Sequence, residues 1–128
     1  MSRKVVSLSA DETLDIVRDI MDLGSVRHIP VVSRGDVVGV VSQRDLLKAS
    51  LSSMMGLPTR EQERFLKQIN VAEIMSSPPV TIAPDAPVRT AARLMADKKI
   101  GCLLVLDEGR LVGIVTETDV LRYFAQLP

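Results

Sequence analysis

Two short phrases in this 128-residue chain combine groups able to do chemistry, Ser42-Gln43-Arg44-Asp45 and Thr116-Glu117-Thr118-Asp119. In each, a hydroxyl residue closes an apolar run and an acid follows three positions later. That is the pattern of a helix start, with the hydroxyl at the N-cap and the acid in the first turn. The first amides of a helix have no partner within it, and the dipole makes that end positive, so phosphate is favoured there. An ionised carboxylate beside such an end can accept two hydroxyl donors at once. A cap needs no ligand to exist, and capping and binding are compatible roles for the same side chains.

The remaining reactive residues point away from catalysis. His28 is the single histidine, and before an apolar strand it reads as a packed or hydrogen-bonded group. Cys102 is the single cysteine, which rules out a disulfide within the chain and a zinc site built on cysteines. It reads as a small buried apolar residue. The Ser, His and Asp residues form no nucleophilic motif, and the glycines form neither a Walker loop nor a dinucleotide fingerprint. The expectation is a protein that is not an enzyme, binds no metal and requires no cofactor. Sixteen basic and sixteen acidic residues balance to a formal charge of zero, so neither a nucleic-acid partner nor a membrane surface is expected. The apolar runs are too short to span a bilayer, and no long apolar stretch follows the charged N-terminus, so a cytoplasmic location is expected.

The elements that must position the two phrases are written twice. A shift of 74 positions carries Val6 onto Val80, Asp11 onto Asp85, Met21 onto Met95, Val31 onto Val105 and Gly35 onto Gly109. It continues without a gap through Val38/Val112, Gly39/Gly113, Val41/Val115, Asp45/Asp119 and Leu47/Leu121. Each copy predicts β-α-β-β-α. Val5 to Leu8 and Val80 to Ile82 read as short extended lead-ins. Ser9 with Glu12 has capping-box spacing, and Asp85 followed by Pro87 suits a helix start. Leu14, Val17 and Met21 fall on one helical face, as do Val88, Ala91, Ala92 and Met95, with Gly24 ending the first helix. Apolar strands from His28 and from Cys102 lead through Arg34-Gly35 and Glu108-Gly109 turns into return strands and then the helices that open at Ser42 and Thr116.

The predicted boundaries are 1–50 for the first repeat, 51–70 for a helical insert, and 71–128 for the second repeat with its lead-in. In the insert, Thr59 to Glu63 reads as a helix N-terminus with Phe65, Leu66 and Ile69 on the apolar side. It serves either as a connector or as a flap or partner-binding helix. A unit of about 45 residues buries too little apolar surface to stand alone. The two repeats are therefore expected to pack sheet to sheet around shared clefts, an α+β architecture with pseudo-twofold symmetry.

The duplicated phrases Gly39-Val40-Val41-Ser42-Gln43-Arg44-Asp45 and Gly113-Ile114-Val115-Thr116-Glu117-Thr118-Asp119, with Ile74-Met75, Pro79-Val80-Thr81-Ile82 and His28-Ile29-Pro30-Val31-Val32, resemble the tandem cystathionine-β-synthase (CBS) domain pair, or Bateman module. The resemblance covers nearly the whole chain apart from the insert. It implies clefts that take an adenine nucleotide (AMP, ADP or ATP) or S-adenosylmethionine as a regulatory ligand, a homodimer, and a regulated protein partner of unknown identity. It implies that Asp45 or Asp119 holds the ribose, beside Ser42 and Thr116. Adenine is expected between apolar side chains of the cleft, with backbone groups near Ile29 to Val31 and Leu103 to Val105 reading its edge, Pro30 and Cys102 among the site residues, and Ser7, Thr81 and Pro84 lining the sites from the lead-in strands. A ligand-free scaffolding module is the alternative. The two sites should differ: Arg27, His28 and Arg44 surround the first, whereas Gly101, Cys102 and Thr118 stand at the equivalent places, with Glu117 adding negative charge.

Overall fold

A computed structural model of the chain describes residues 5–128, apart from the side chains of residues 52–54. The first four residues of the expected first repeat, and the Met54 side chain of the insert, lie outside the described part. The chain divides into two compact units, one of which is Val6–Pro78 and the other of which contains Pro79–Pro128.

The unit Val6–Pro78 runs β1 (Leu8–Ser9), α1 (Leu14–Gly24), β2 (His28–Ser33), β3 (Asp36–Ser42), α2 (Gln43–Met54) and α3 (Thr59–Leu66), then a 3-10 turn at Val71–Glu73. The unit containing Pro79–Pro128 runs β4 (Thr81–Ile82), α4 (Val88–Lys98), β5 (Cys102–Asp107), β6 (Arg110–Thr116) and α5 (Glu117–Ala125). Each builds a three-stranded sheet in the same order, β1-β2-β3 and β4-β5-β6. The first pair is parallel, with Leu8 opposite Val31 and Ile82 opposite Val105. A parallel pair needs a crossover, which α1 and α4 supply. The second pair is an antiparallel hairpin that sets His28 against Ser42 and Cys102 against Thr116. Both ladders bulge at the same place, after Val31 and after Val105.

The repeat extends to the backbone. Each hairpin turns through two left-handed residues, Arg34 and Gly35 (φ 53° and 82°) and Glu108 and Gly109 (50° and 80°). Two consecutive positive φ values make the turn whose twist suits a two-residue hairpin, and glycine takes the second place without strain. Helix α1 ends at the expected glycine. Gly24 is its last helical residue, and Ser25 adopts the left-handed conformation and donates its amide to the Met21 carbonyl. Lys99 does the same after α4, onto Met95.

The apolar faces behave as their spacing predicts. Leu14, Val17 and Met21 are buried with Leu8, Ile29, Val31 and Val41, and Ala91 and Met95 are buried with Leu103. The start of α1 is a correction. Ser9 and Glu12 form a turn, not a capping box: the Glu12 amide donates to the Ser9 carbonyl, and the helix begins at Leu14 after Thr13. Distant backbone groups prevent an earlier start, because the Glu12 carbonyl accepts from Val71 and Thr13 bridges to Asn70. Helix α4 begins directly after Pro87, whose fixed φ suits a helix start. The lead-in Val5 to Leu8 also pairs later than expected, from Leu8. In the second copy the Leu104 amide donates to the Val80 carbonyl at 3.0 Å. The equivalent bond cannot form in the first copy, because Pro30 stands where Leu104 does and has no N–H.

The insert is helical at both ends, α2 running to Met54 and α3 opening at Thr59 as its sequence predicts. Leu66 is buried in the core of its unit, with Phe65 and Ile69 packed against it. The segment 71–78 folds with the first repeat: Ser76 and Val40 exchange both backbone hydrogen bonds, and Ser77 Oγ donates to the Val38 carbonyl. The compact unit therefore ends at Pro78 although the second sequence repeat has its lead-in at 71.

Candidate functional site

The hairpins deliver Ser42 and Thr116 to the N-termini of α2 and α5, and there both phrases form complete capping boxes. The Asp45 amide donates to Ser42 Oγ at 3.0 Å, and the Ser42 amide donates to Asp45 Oδ2 at 2.8 Å. In the second copy the Asp119 amide donates to Thr116 Oγ1 at 3.3 Å, and the Thr116 amide to Asp119 Oδ2 at 2.9 Å. Thr116 Oγ1 also lies 3.1 Å from the same Oδ2. The cap reading of these residues is thus satisfied in full, and it uses one carboxylate oxygen per box. Oδ1 of Asp45 and of Asp119 makes no hydrogen bond to a described residue. Both acids are half-buried. An oxygen with open lone pairs, held rigidly beside the amides of a helix start, is an acceptor ready for further hydroxyl donors.

The neighbouring strand completes the local frame. Gln43 donates its amide to the Arg27 carbonyl at 2.8 Å, and Glu117 donates to the Gly101 carbonyl at 3.1 Å. With His28 opposite Ser42 and Cys102 opposite Thr116, residues 27, 28, 42, 44 and 45 gather at one end of the first sheet, and 101, 102, 116, 118 and 119 at the same end of the second. Arg27, Arg44 and Thr118 are exposed, and His28 is half-buried. Thr81, on β4 opposite Leu104, is exposed. Ser7 and Pro84 flank β1 and β4 and are exposed as well.

The four residues Ile29, Pro30, Cys102 and Leu103, expected near adenine, are all buried. Ile29 and Leu103 are 1% and 0% exposed and belong to the cores, Pro30 is fully buried, and Cys102 is buried. These side chains fill the interior of the molecule, because β2 and β5 are the central strands of their sheets and are covered on both faces.

A further feature has no sequence forerunner. A groove of about 400 Å³ lies between α4 and α5, lined by Ala92, Met95, Ile100, Val120 and Leu121, with Lys99 and Glu117 at hand. At 100° per residue, positions 117, 120 and 121 share a helix face turned away from Asp119. The groove is therefore separate from the capping box. Among the described residues, no three His, Cys, Asp or Glu side chains come together as a metal site, and no helix is long and apolar enough to cross a membrane.

Comparison with known proteins bears on both repeats. The CBS domain family model matches residues 1–52 and 71–126. A CBS domain-containing protein from Dictyostelium discoideum is 38% identical over 125 residues, which is 94% of this chain and 85% of that one. Against three further relatives, the chain spans 45%, 22% and 58% of their length. Among solved structures, the CBS domain pair of protein MJ0100, in complex with 5′-methylthioadenosine and S-adenosyl-L-methionine, is 25% identical with a TM-score of 0.81, over 98% of this chain and 91% of that one. CBSX2 in complex with AMP is also 25% identical, with a TM-score of 0.78 over 98% and 92% of the two chains.

Proposed function

Because this chain belongs to the CBS domain family, we propose that it is a regulatory module whose repeats bind an adenosine-type ligand and signal by a shift between conformations. The observation that carries the proposal is the pair of capping boxes, each leaving one carboxylate oxygen of Asp45 or Asp119 open beside helix amides. In this reading the open oxygen and the remaining lone pairs of Oδ2 accept the two hydroxyls of a ribose. The hydroxyl residues Ser42 and Thr116 stand next to the ligand's anionic or polar tail. The strand ends at 28–30 and 102–103 offer backbone groups to the base, and Ser7, Thr81 and Pro84 form the rim. The ligands held by the two related structures, AMP in one and methylthioadenosine with S-adenosylmethionine in the other, support this class of compound. A ligand bound more tightly by one arrangement than another shifts the population by that difference in affinity, and so reports its own concentration to a partner protein. The chemistry ends at binding, with no catalytic step.

The module is also proposed to act as a homodimer in the cytoplasm. The α4–α5 groove and the exposed Leu121 and Phe124 on the same side of α5 form an apolar face suited to a second copy. The alternative of a ligand-free scaffold draws support from the same boxes, since they are satisfied as caps with nothing bound.

Thermal-shift and calorimetric titration with AMP, ATP and S-adenosylmethionine separates the two readings. Binding should raise the melting temperature of the wild type. Asp45→Asn and Asp119→Asn, which keep a cap acceptor but lose the charge, should each weaken a ligand held at their own repeat by about tenfold or more. A wild type that none of the three compounds stabilises is a scaffold.

A further inference from the structure

We propose that the two repeats select adenosyl ligands of different charge, with Arg27 and Arg44 as the residues that decide. The position at Ser42 and Asp45 takes the ligand that carries phosphate. The position at Thr116 and Asp119 takes one whose 5′ substituent is uncharged or cationic, a thioether or a sulfonium. The inference rests on the adenosine reading above and adds to it which repeat takes which chemical class.

The backbone frames of the two positions are the same. Both helices open on the same capping box, both tie their first amide to the carbonyl of the residue before the strand, and both strands face the cap residue at the same register. The helix amides and the dipole therefore attract an anion equally in both copies and discriminate nothing. Discrimination falls to the side chains mounted on that frame. The first copy has Arg27, Gln43 and Arg44 where the second has Gly101, Glu117 and Thr118.

Arg27, Arg44 and Glu117 are exposed, and none of them makes an ion pair with a described residue. The two guanidiniums are thus uncommitted, and each is a planar fork matched to a phosphate group. Lys99 lines the outer groove of α5 together with Glu117, so it offsets part of that negative charge without reaching the Asp119 side of the helix. The contrast that remains is two guanidiniums against none. His28 already has a partner in the structure and is left out of the contrast. Because the arginines are solvent-exposed, salt screens them, and their joint effect on a bound phosphate is about tenfold rather than thousands.

Calorimetry with ATP and with 5′-methylthioadenosine tests this in the full chain. Arg27→Ala/Arg44→Ala should lower ATP affinity about tenfold and leave methylthioadenosine affinity within about twofold, and the retained thioether binding reports that the variant is folded. Asp45→Asn should weaken ATP selectively, and Asp119→Asn should weaken methylthioadenosine selectively. Glu117→Gln/Thr118→Arg in the Asp45→Asn background should restore part of the ATP binding. Unchanged ATP affinity in the double arginine variant, or equal loss of both compounds, overturns the assignment while adenosine binding stands. If neither compound binds the wild type, or neither Asp substitution alters any binding, the adenosine reading itself fails.

Discussion

Asp45 and Asp119 each hold two jobs that a single carboxylate can share. Oδ2 closes the helix cap and Oδ1 faces no described donor. The cap orients the acid before any ligand arrives, so less side-chain entropy is lost on binding. A second residue with a geometric duty is Gly39. A Cβ there would lie 2.6 Å from Met75 Sδ and 2.8 Å from the Ser76 carbonyl oxygen. The methionine can swing aside, but the carbonyl belongs to the strand bridge between Val40 and Ser76, whose two bonds measure 3.0 and 2.8 Å. Gly39→Ala should therefore cost about 1–3 kcal/mol of stability, measured by urea denaturation. A loss under about 0.5 kcal/mol would mean that this contact relaxes freely.

At the scale of elements, the insert helix α3 is fastened to α1. Leu66 enters the core of the unit, the Ile69 carbonyl accepts from the Leu14 amide, and Arg18 pairs with Glu63 through both terminal guanidinium nitrogens. The Arg18 guanidinium holds the Glu63 carboxyl below its ordinary value of 4.5 and is itself shifted upward by the pairing. Asp15 is likewise lowered, first by the hydrogen bond from Thr13 and to a smaller extent by Lys67 of the segment that follows α3. A carboxyl whose pKa is lower folded than unfolded adds stability above its unfolded value and loses it as pH falls through the folded value. Glu63→Gln should therefore be less stable than the wild type near neutral pH, and the gap should close as pH drops below about 4.5. Both partners are partly exposed, so the gap should also shrink with salt. Melting curves at several pH values check the sign. A gap of the same size at every pH would assign the effect to packing instead of charge.

At the scale of the whole molecule, duplication has preserved the backbone more closely than the side chains. Turn residues, helix ends and strand bulges repeat from unit to unit, while the residues around each capping box have diverged in charge. The outer faces of the helices diverged as well. Arg18 of α1 engages α3, whereas the equivalent Ala92 of α4 lines an open groove beside Leu121, which is 69% exposed. An apolar face of that kind is the proposed seat of the second copy. Leu121→Asp should shift the protein from dimer to monomer in sedimentation equilibrium, with an unchanged circular dichroism spectrum. A dimer of undiminished affinity would place the interface elsewhere.

The sequence by itself determined what depends on near neighbours. Short apolar runs set the strands, helical apolar spacing set the helices, a glycine turn set each hairpin, and the S/T-x-x-D spacing set both caps, because each is decided by forces acting within a few residues. Only the tertiary structure decided what depends on remote partners. Thr13 rather than Ser9 precedes α1, since Asn70 and Val71 take the backbone groups of Glu12 and Thr13. The segment 71–78 joins the first repeat because Ser76 finds the edge of β3 at Val40. Ile29, Pro30 and Leu103 are interior residues because their strands are central in their sheets. A backbone hydrogen bond or a buried face must be shared with whatever the fold brings alongside, and local sequence carries no record of which segment that will be.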